Sequence, residues 1–247
     1  MNTEHLNLTG FTQLDISGAF EFEIVRADSF GVAITREWFK RTRAFKDGKV
    51  LIIDHPWYDV LGWFTPWIIP KVKVEMPELR ELRVSGASRG SVSGFVSPHD
   101  FKLKLSGASR LTGDITSGNA EFDVAGAGKI ELASSVKALK LKVVGASEFR
   151  GSIKADSGEI EVLGASRMRV SGTMGDAVIR VGGASHLEMG DFTVHNANIK
   201  LAGASHCILN VAGKLDAELA GASGLTYGGN PIMGNIMTAG ASTLTKK

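Results

Sequence analysis

From Leu82 onward, apolar and polar residues alternate with a period of two, and the alternation breaks at regular places. Leu82 and Val84, Leu103 and Leu105, Phe122 and Val124, Leu141 and Val143, Ile160 and Val162, Ile179 and Val181, and Ile199 and Leu201 are apolar. Arg83, Lys104, Asp123, Lys142, Glu161, Arg180 and Lys200 stand between them. This pattern predicts short strands with one buried face. After each break the alternation resumes at Leu111, Ile130, Phe149, Met168, Leu187, Cys207 and Leu225, with mostly polar neighbours such as Arg110 and Thr112.

The break is nearly always the same tripeptide. Gly-Ala-Ser begins at Gly86, Gly107, Gly145, Gly164, Gly183, Gly203, Gly221 and Gly240, and Gly126-Ala127-Gly128 fills the one gap. Successive glycines lie 21, 19, 19, 19, 19, 20, 18 and 19 residues apart. A fixed period of this length predicts a solenoid of stacked units. Each unit of about 19 residues holds two short strands around a Gly-Ala-Ser corner. A looser far turn carries breakers such as Thr116-Ser117-Gly118-Asn119, Asp156-Ser157-Gly158 and Gly172-Thr173-Met174-Gly175. Identical corners at one period favour parallel coils, with equivalent residues about 4.8 Å apart in vertical columns. The predicted fold is an all-β, single-domain parallel β-solenoid over residues 1–247.

The columns explain the residue choices. Glycine allows backbone angles closed to other residues. Alanine is expected to be small because a larger group would meet its own copy in the next coil. Five places before the glycine, Glu81, Lys102, Glu121, Lys140 and Glu159 put opposite charges above one another, a favourable cross-strand arrangement. Residues 1–80 read as less regular coils. Leu14, Ile16, Gly18, Ala19, Phe22 and Ile24 repeat the strand–corner–strand pattern, with Phe20 in the serine place. The 68 residues from Gly18 to Gly86 leave room for about three coils and an insertion. Val32–Ile34, Val50–Ile53 and Val72–Met76 are the expected strands, with a tight turn at Asp47-Gly48.

Composition narrows the function classes. The formal charge of +2 on 247 residues argues against a dedicated nucleic-acid binder. The single Cys207 excludes an internal disulfide framework. Residues 1–10 hold no apolar leader segment, so the chain is cytoplasmic or begins after a removed leader. The apolar stretch from Trp57 to Ile69 is broken by Asp59, Gly62 and Pro66, too short for a membrane-spanning helix.

A resemblance to a known family rests on four features. They are Phe11-Thr12-Gln13-Leu14-Asp15-Ile16 before the Gly18-Ala19 corner, the strand Asp47-Gly48-Lys49-Val50-Leu51-Ile52-Ile53, the segment Val72–Leu82, and the serial Ser-Gly-Ala-Ser marks. Together, over roughly Leu8–Ser242, they resemble the auto-transporter adhesin head domains, or GIN domain. The resemblance implies a right-handed parallel β-helix, a place in the bacterial envelope beyond the cytoplasm, and a role in adhesion. It implies no catalytic residue and no cofactor.

Candidate sites follow from residue type. Residues 55–69 hold three of the four tryptophans, Trp57, Trp63 and Trp67, with Tyr58 and Phe64. They read as a flap over the solenoid or as an exposed patch for a sugar, a protein or a membrane surface. Arg36, Lys40, Arg41, Arg43 and Lys46, interleaved with Trp38, Phe39 and Phe45, read as a solvated face or as a contact for anionic glycans or lipid headgroups. His186 and His206 share a column with Glu188 nearby, a weak zinc candidate. The serine column has no His–Asp partner at a defined spacing and reads as structural. The last coil replaces charges by Asn235 and Met237 and adds Ile232, Met233 and Ile236, which suits a cap, end-to-end self-association or continuation into a longer native chain. The function expected is a non-enzymatic adhesion or binding scaffold. Alternatives are a carbohydrate-active enzyme on the same fold, which would need clustered carboxylates in a groove, and an intracellular or membrane-associated scaffold.

Overall fold

The computed structural model describes residues 2–36, 42–55 and 69–247. Among them there is no helix; the strands join in one sheet that winds into a parallel β-solenoid. The N-terminal part contributes β1 (Asn2–Leu6), β2 (Gln13–Gly18), β3 (Glu21–Arg26), β4 (Gly31–Arg36), β5 (Arg43–Asp47), β6 (Val50–Asp54) and β7 (Lys71–Met76). The regular coils begin with β8 (Glu81–Gly86), β9 (Arg89–Val96), β10 (Phe101–Leu105), β11 (Arg110–Thr116) and β12 (Ala120–Val124). In β13 (Lys129–Val143), β14 (Glu148–Val162), β15 (Arg167–Val181) and β16 (His186–Leu201) the two strands of a coil run into one another through the far bend. Asp156-Ser157-Gly158 and Gly172–Gly175 therefore bend a continuous ladder instead of ending it. The stack closes with β17 (His206–Val211), β18 (Lys214–Leu219), β19 (Gly224–Gly228), β20 (Ile232–Thr238) and β21 (Thr243–Lys246).

The pairing is parallel and in register, so each column survives from coil to coil. Leu103 lies between Leu82 and Phe122, and Phe122 lies against Leu141. The inward columns form one buried core along the whole stack. Phe122 stacks on Phe149 with ring centroids 6.5 Å apart. The charge column pairs as its sequence order requires: Glu81 against Lys102, then Glu121, Lys140 and Glu159. Lys102 reaches Glu121 at 2.8 Å, Lys200 reaches Glu218 at 2.6 Å, and Arg180 bonds Glu159.

At each corner the glycine has φ between +73° and +93°, from Gly86 through Gly240. A Cβ there would lie 2.3–2.8 Å from the carbonyl oxygen of the corner glycine one coil earlier. That carbonyl accepts the N–H of the following alanine at 2.7–2.9 Å. The serine turns inward and is buried; Ser166 Oγ is 3.2 Å from the Gly145 oxygen and 2.8 Å from that of Leu163. The alanine methyl instead faces solvent at every mark from Ala87 to Ala241. This corrects the expectation that alanine is the residue crowded by its own copy. The crowding falls on the glycine, and the serine satisfies the tight bend by hydrogen bonding.

The N-terminal part departs from the expected order. Gly86 lies directly on Gly18, β8 pairs with β2, and β9 pairs with β3. The 68-residue interval holds no coils between them. It runs to the other side, where β6 pairs with β2 and β7 with β3. Two antiparallel additions then close that end. β5 hairpins onto β6 through a turn with Gly48 at φ +57°, and β4 lies on β7 and carries β1 outside it. These outer strands bear Glu4, His5, Arg43, Lys46 and Asp47, charges that discourage edge-to-edge pairing. At the opposite end Ile232 and Met237 are 75% and 59% exposed, and Met233 is exposed too. No segment among the described residues folds over that last coil, which corrects the cap reading.

Candidate functional site

A groove of about 850 Å³ runs along one side of the stack. It spans eight coils, from Arg80 to Asp216, roughly 34 Å at about 4.8 Å per coil. Numbering from each corner glycine, its floor is the main chain six places earlier, where Phe101, Ala120, Leu139, Ala177 and Ala197 are buried. The lips are the outward residues on either side. Along one lip Asp100, Asn119, Ala138, Ser157, Asp176 and Asn196 follow in register. Along the other run Lys102, Glu121, Lys140, Glu159, Val178 and Asn198.

The lips are internally bonded. Asn119 donates to Asp100 Oδ1 at 3.0 Å from both its main-chain N and Nδ2. Asn196 Nδ2 donates to Asp176 at 2.8 Å, and Lys214 N donates to Asn196 Oδ1 at 2.9 Å. Lys102 holds the Glu121 carboxyl below its ordinary range by hydrogen bonding and charge. The Lys214 ammonium and the Asn235 N–H do the same for Asp216. These carboxylates stay ionised and accept hydrogen bonds; an acid catalyst needs the opposite shift. The groove therefore offers alternating donors and acceptors at regular intervals over an even floor.

None of the candidate site residues that the structure describes lines the groove. Trp57, Tyr58, Trp63, Phe64 and Trp67 fall outside the described residues. Their flanking residues are described: His55 packs on Phe20 at a ring-centroid distance of 6.4 Å, with its main-chain N donating to the Ser17 oxygen, and Ile69 is partly exposed. Of the basic cluster, Lys40, Arg41, Trp38 and Phe39 are likewise outside, as is the Arg36 side chain. Arg43 forms a two-pronged pair with Asp54, Lys46 donates to the Thr9 carbonyl at 3.0 Å, and Phe45 is exposed.

His186 and His206 do stack, with centroids 5.5 Å apart and rings 12° from parallel. Glu188 is drawn away to Arg169. Cys207 points into the core, where burial pushes its thiol up to about 12. Among the described residues no group of three or more His, Cys, Asp or Glu is arranged to hold a metal ion.

Sequence reasoning missed the groove, although half its signal was periodic. Asp100, Asn119, Asp176 and Asn196 all stand seven places before a corner glycine. The concavity itself depends on how the far bend folds, and no residue type announces that.

A parallel solenoid with Gly-Ala-Ser corners, a capped N-terminal end and a long lateral groove defines the class. The chain belongs to the family described as "Putative auto-transporter adhesin, head GIN domain", whose profile matches residues 10–152 and 135–231. Solved structures share the fold at low identity. One from Parabacteroides distasonis, described as a putative lipid binding protein, superposes with a TM-score of 0.70 at 18% identity over 100% of this chain and 96% of its own. A second from that organism, described as a putative adhesin, gives 0.71 at 15% identity over 100% and 96%. A putative adhesin from Parabacteroides merdae gives 0.56 at 14% over 100% and 95%. No curated protein matches the chain significantly.

Proposed function

We propose that residues 1–247 form a single non-enzymatic binding domain of the bacterial cell envelope, which grips an extended glycan along the lateral groove. The observation that carries this reading is the groove itself: eight coils long, with lips of amides, carboxylates and ammonium groups. A polyhydroxylated chain needs donors and acceptors at regular intervals and gains little from a net charge, and the lips supply both with near balance. Ligand sites commonly occupy about 300–1,000 Å³, and this one lies in that range. Family membership and the adhesin descriptions of its structural neighbours support adhesion and a location outside the cytoplasm.

A glycan array with purified protein tests the reading. Ser157→Trp, placed mid-lip at a side chain with no hydrogen-bond partner among the described residues, should abolish recognition of the bound glycans while leaving the fold intact. An array without any hit, or hits that survive Ser157→Trp, would refute it. Product analysis of any bound glycan tests the enzyme alternative.

The exposed apolar side chains of β20 support self-association as a second mode. Between Ile232 and Thr238 the edge strand carries no charge, whereas β1 and β5 at the other end do. A copy meeting tail to tail buries apolar groups against apolar groups; head to tail, it would bury Arg43, Lys46 or Glu4 against Ile232 and Met237. Light scattering should show a dimer that Met237→Lys dissociates.

A further inference from the structure

We infer that Arg89, Arg110 and Lys129 form a binding site for a tetrahedral oxyanion, a phosphate or sulfate ester, on the face across the corner from the groove. The outward column three places after each corner glycine runs Glu21, Arg89, Arg110, Lys129, Glu148 in register. The column five places before the glycine alternates in sign and pairs between coils, as Lys102–Glu121 does, while other outward columns hold at most two like charges in succession, as Arg83 and Lys104 or Arg150 and Arg169. Here three cations follow one another at about 4.8 Å spacing. Like charges placed directly opposite are destabilising.

Compensation reaches only the two ends of this run. Lys129 Nζ lies 3.1 Å from Glu148, and Glu21 turns to Lys71 at 3.4 Å. Arg89 and Arg110 form no ion pair among the described residues, and the next outward column is neutral beside them at Ser91 and Thr112, with Glu23 against Ser91 one coil back. Glu131 stands against Thr112, one coil further along.

The cations border a cavity of about 190 Å³ whose other walls include Phe20, Ile69, the corner alanines and Glu21, whose carboxylate is paired to Lys71. The local main-chain donors are already used: Ala108 N bonds the Gly86 oxygen at 2.8 Å and Arg110 N bonds that of Ser88 at 2.8 Å. Recognition therefore falls to side chains. Two adjacent guanidinium forks on consecutive coils can hold different oxygens of one tetrahedral anion, the charge-assisted geometry that arginine favours for phosphate and sulfate. Bound anion also removes the repulsion within the column. This inference does not depend on the glycan reading of the groove.

The test exploits that repulsion. In chloride buffer Arg110→Gln should melt at the wild-type temperature or slightly above it, because it relieves like-charge stacking. At constant ionic strength, inorganic phosphate should raise the wild-type melting temperature and bind about ten-fold more weakly to Arg110→Gln, the loss of one charge-assisted partner. Arg89→Gln should behave alike, and Arg167→Gln, further along the column, should bind as wild type. Vesicles of phosphatidylcholine with and without phosphatidic acid separate the sources. Retention by the acidic vesicles alone, lost in Arg110→Gln, assigns a lipid headgroup; phosphate binding without retention assigns a free or glycan-borne ester. A wild type insensitive to phosphate overturns the site, as does an Arg110→Gln variant that melts lower in chloride or binds phosphate undiminished.

Discussion

The regular coils and the N-terminal part use the same corner, yet they assemble it differently. From Gly86 to Gly240 the order along the chain is the order in space, and each corner glycine sits on the one before. At the N-terminus β1 lies outermost, β2 and β3 then enter the stack, β6 and β7 are laid on their outer side, and the chain crosses back to put Gly86 on Gly18. The difference shows what a repeat does and does not specify. The corner chemistry makes any two coils able to stack. Which coils become neighbours is set by their connections, and by end strands that stop the stacking. β1 and β5 stop it with antiparallel pairing and charge, while β20 leaves it open.

Glycine substitutions give the largest expected contrast. In the stack, Gly164 combines φ +86° with a Cβ position 2.5 Å from the Gly145 oxygen, which is main chain and held by the ladder. Gly164→Ala should cost about 3–5 kcal/mol, the range of backbone strain plus a forced shift of packed structure. Gly48, in the N-terminal hairpin, has φ +57° and nothing within 4 Å of an added Cβ. Gly48→Ala should cost about 1–2 kcal/mol, the left-handed backbone penalty alone. Urea denaturation of both variants measures the difference; equal losses would mean that coil contact adds nothing to the corner.

Within one stack corner, serine and alanine should separate next. Ser166→Ala removes the buried hydroxyl that bonds main-chain oxygens of Gly145 and Leu163 and leaves them short of a donor, a loss of about 1–2 kcal/mol. Ala165 faces solvent, so Ala165→Leu should stay within about 0.5 kcal/mol of wild type. A large destabilisation by Ala165→Leu would restore the crowding argument that the exposed methyl contradicts.

These residues also mark how far the sequence is legible. Period-two alternation revealed the strands, and the repeat revealed their parallel register down to the charge column Glu81, Lys102, Glu121, Lys140 and Glu159. Both are local signals repeated many times. The role of Ala165 was misassigned because smallness has two readings, a crowded methyl or a corner that tolerates any exposed group. The stacking of Gly86 on Gly18 was hidden because 68 residues of chain carry no mark of direction. The groove was half visible, in Asp100, Asn119, Asp176 and Asn196, but its depth arises from the bend between columns. The cation run Arg89, Arg110, Lys129 was readable as residues and became informative only when the registers stacked the three and turned Glu21, across from Arg89, toward Lys71.

The smallest contrast is in pH dependence, and its sign differs between the regions. In the stack, Glu148 is held below its ordinary range by hydrogen bonds from Lys129 and Arg150, and Glu121 by Lys102. A depressed carboxyl contributes stability that is present above its unfolded value of 4.5 and lost as the pH falls through the lower folded value. In the N-terminal part, burial raises Asp15 above 3.8, with Glu81 and Asp54 adding to the rise and Arg83 opposing it. There the folded state holds its proton longer, so stability falls as the pH climbs from the unfolded value through the folded one. Glu148→Gln should therefore lower the melting temperature slightly at pH 7, and the deficit should shrink as the pH falls below 4.5. Asp15→Asn should raise it slightly at pH 7 and lose that advantage near pH 2.5, where the wild-type carboxyl is protonated in both states. Thermal melts across pH 2.5–7 read both; an Asp15→Asn variant less stable than wild type at pH 7 would show that Arg83 outweighs burial at this end of the stack.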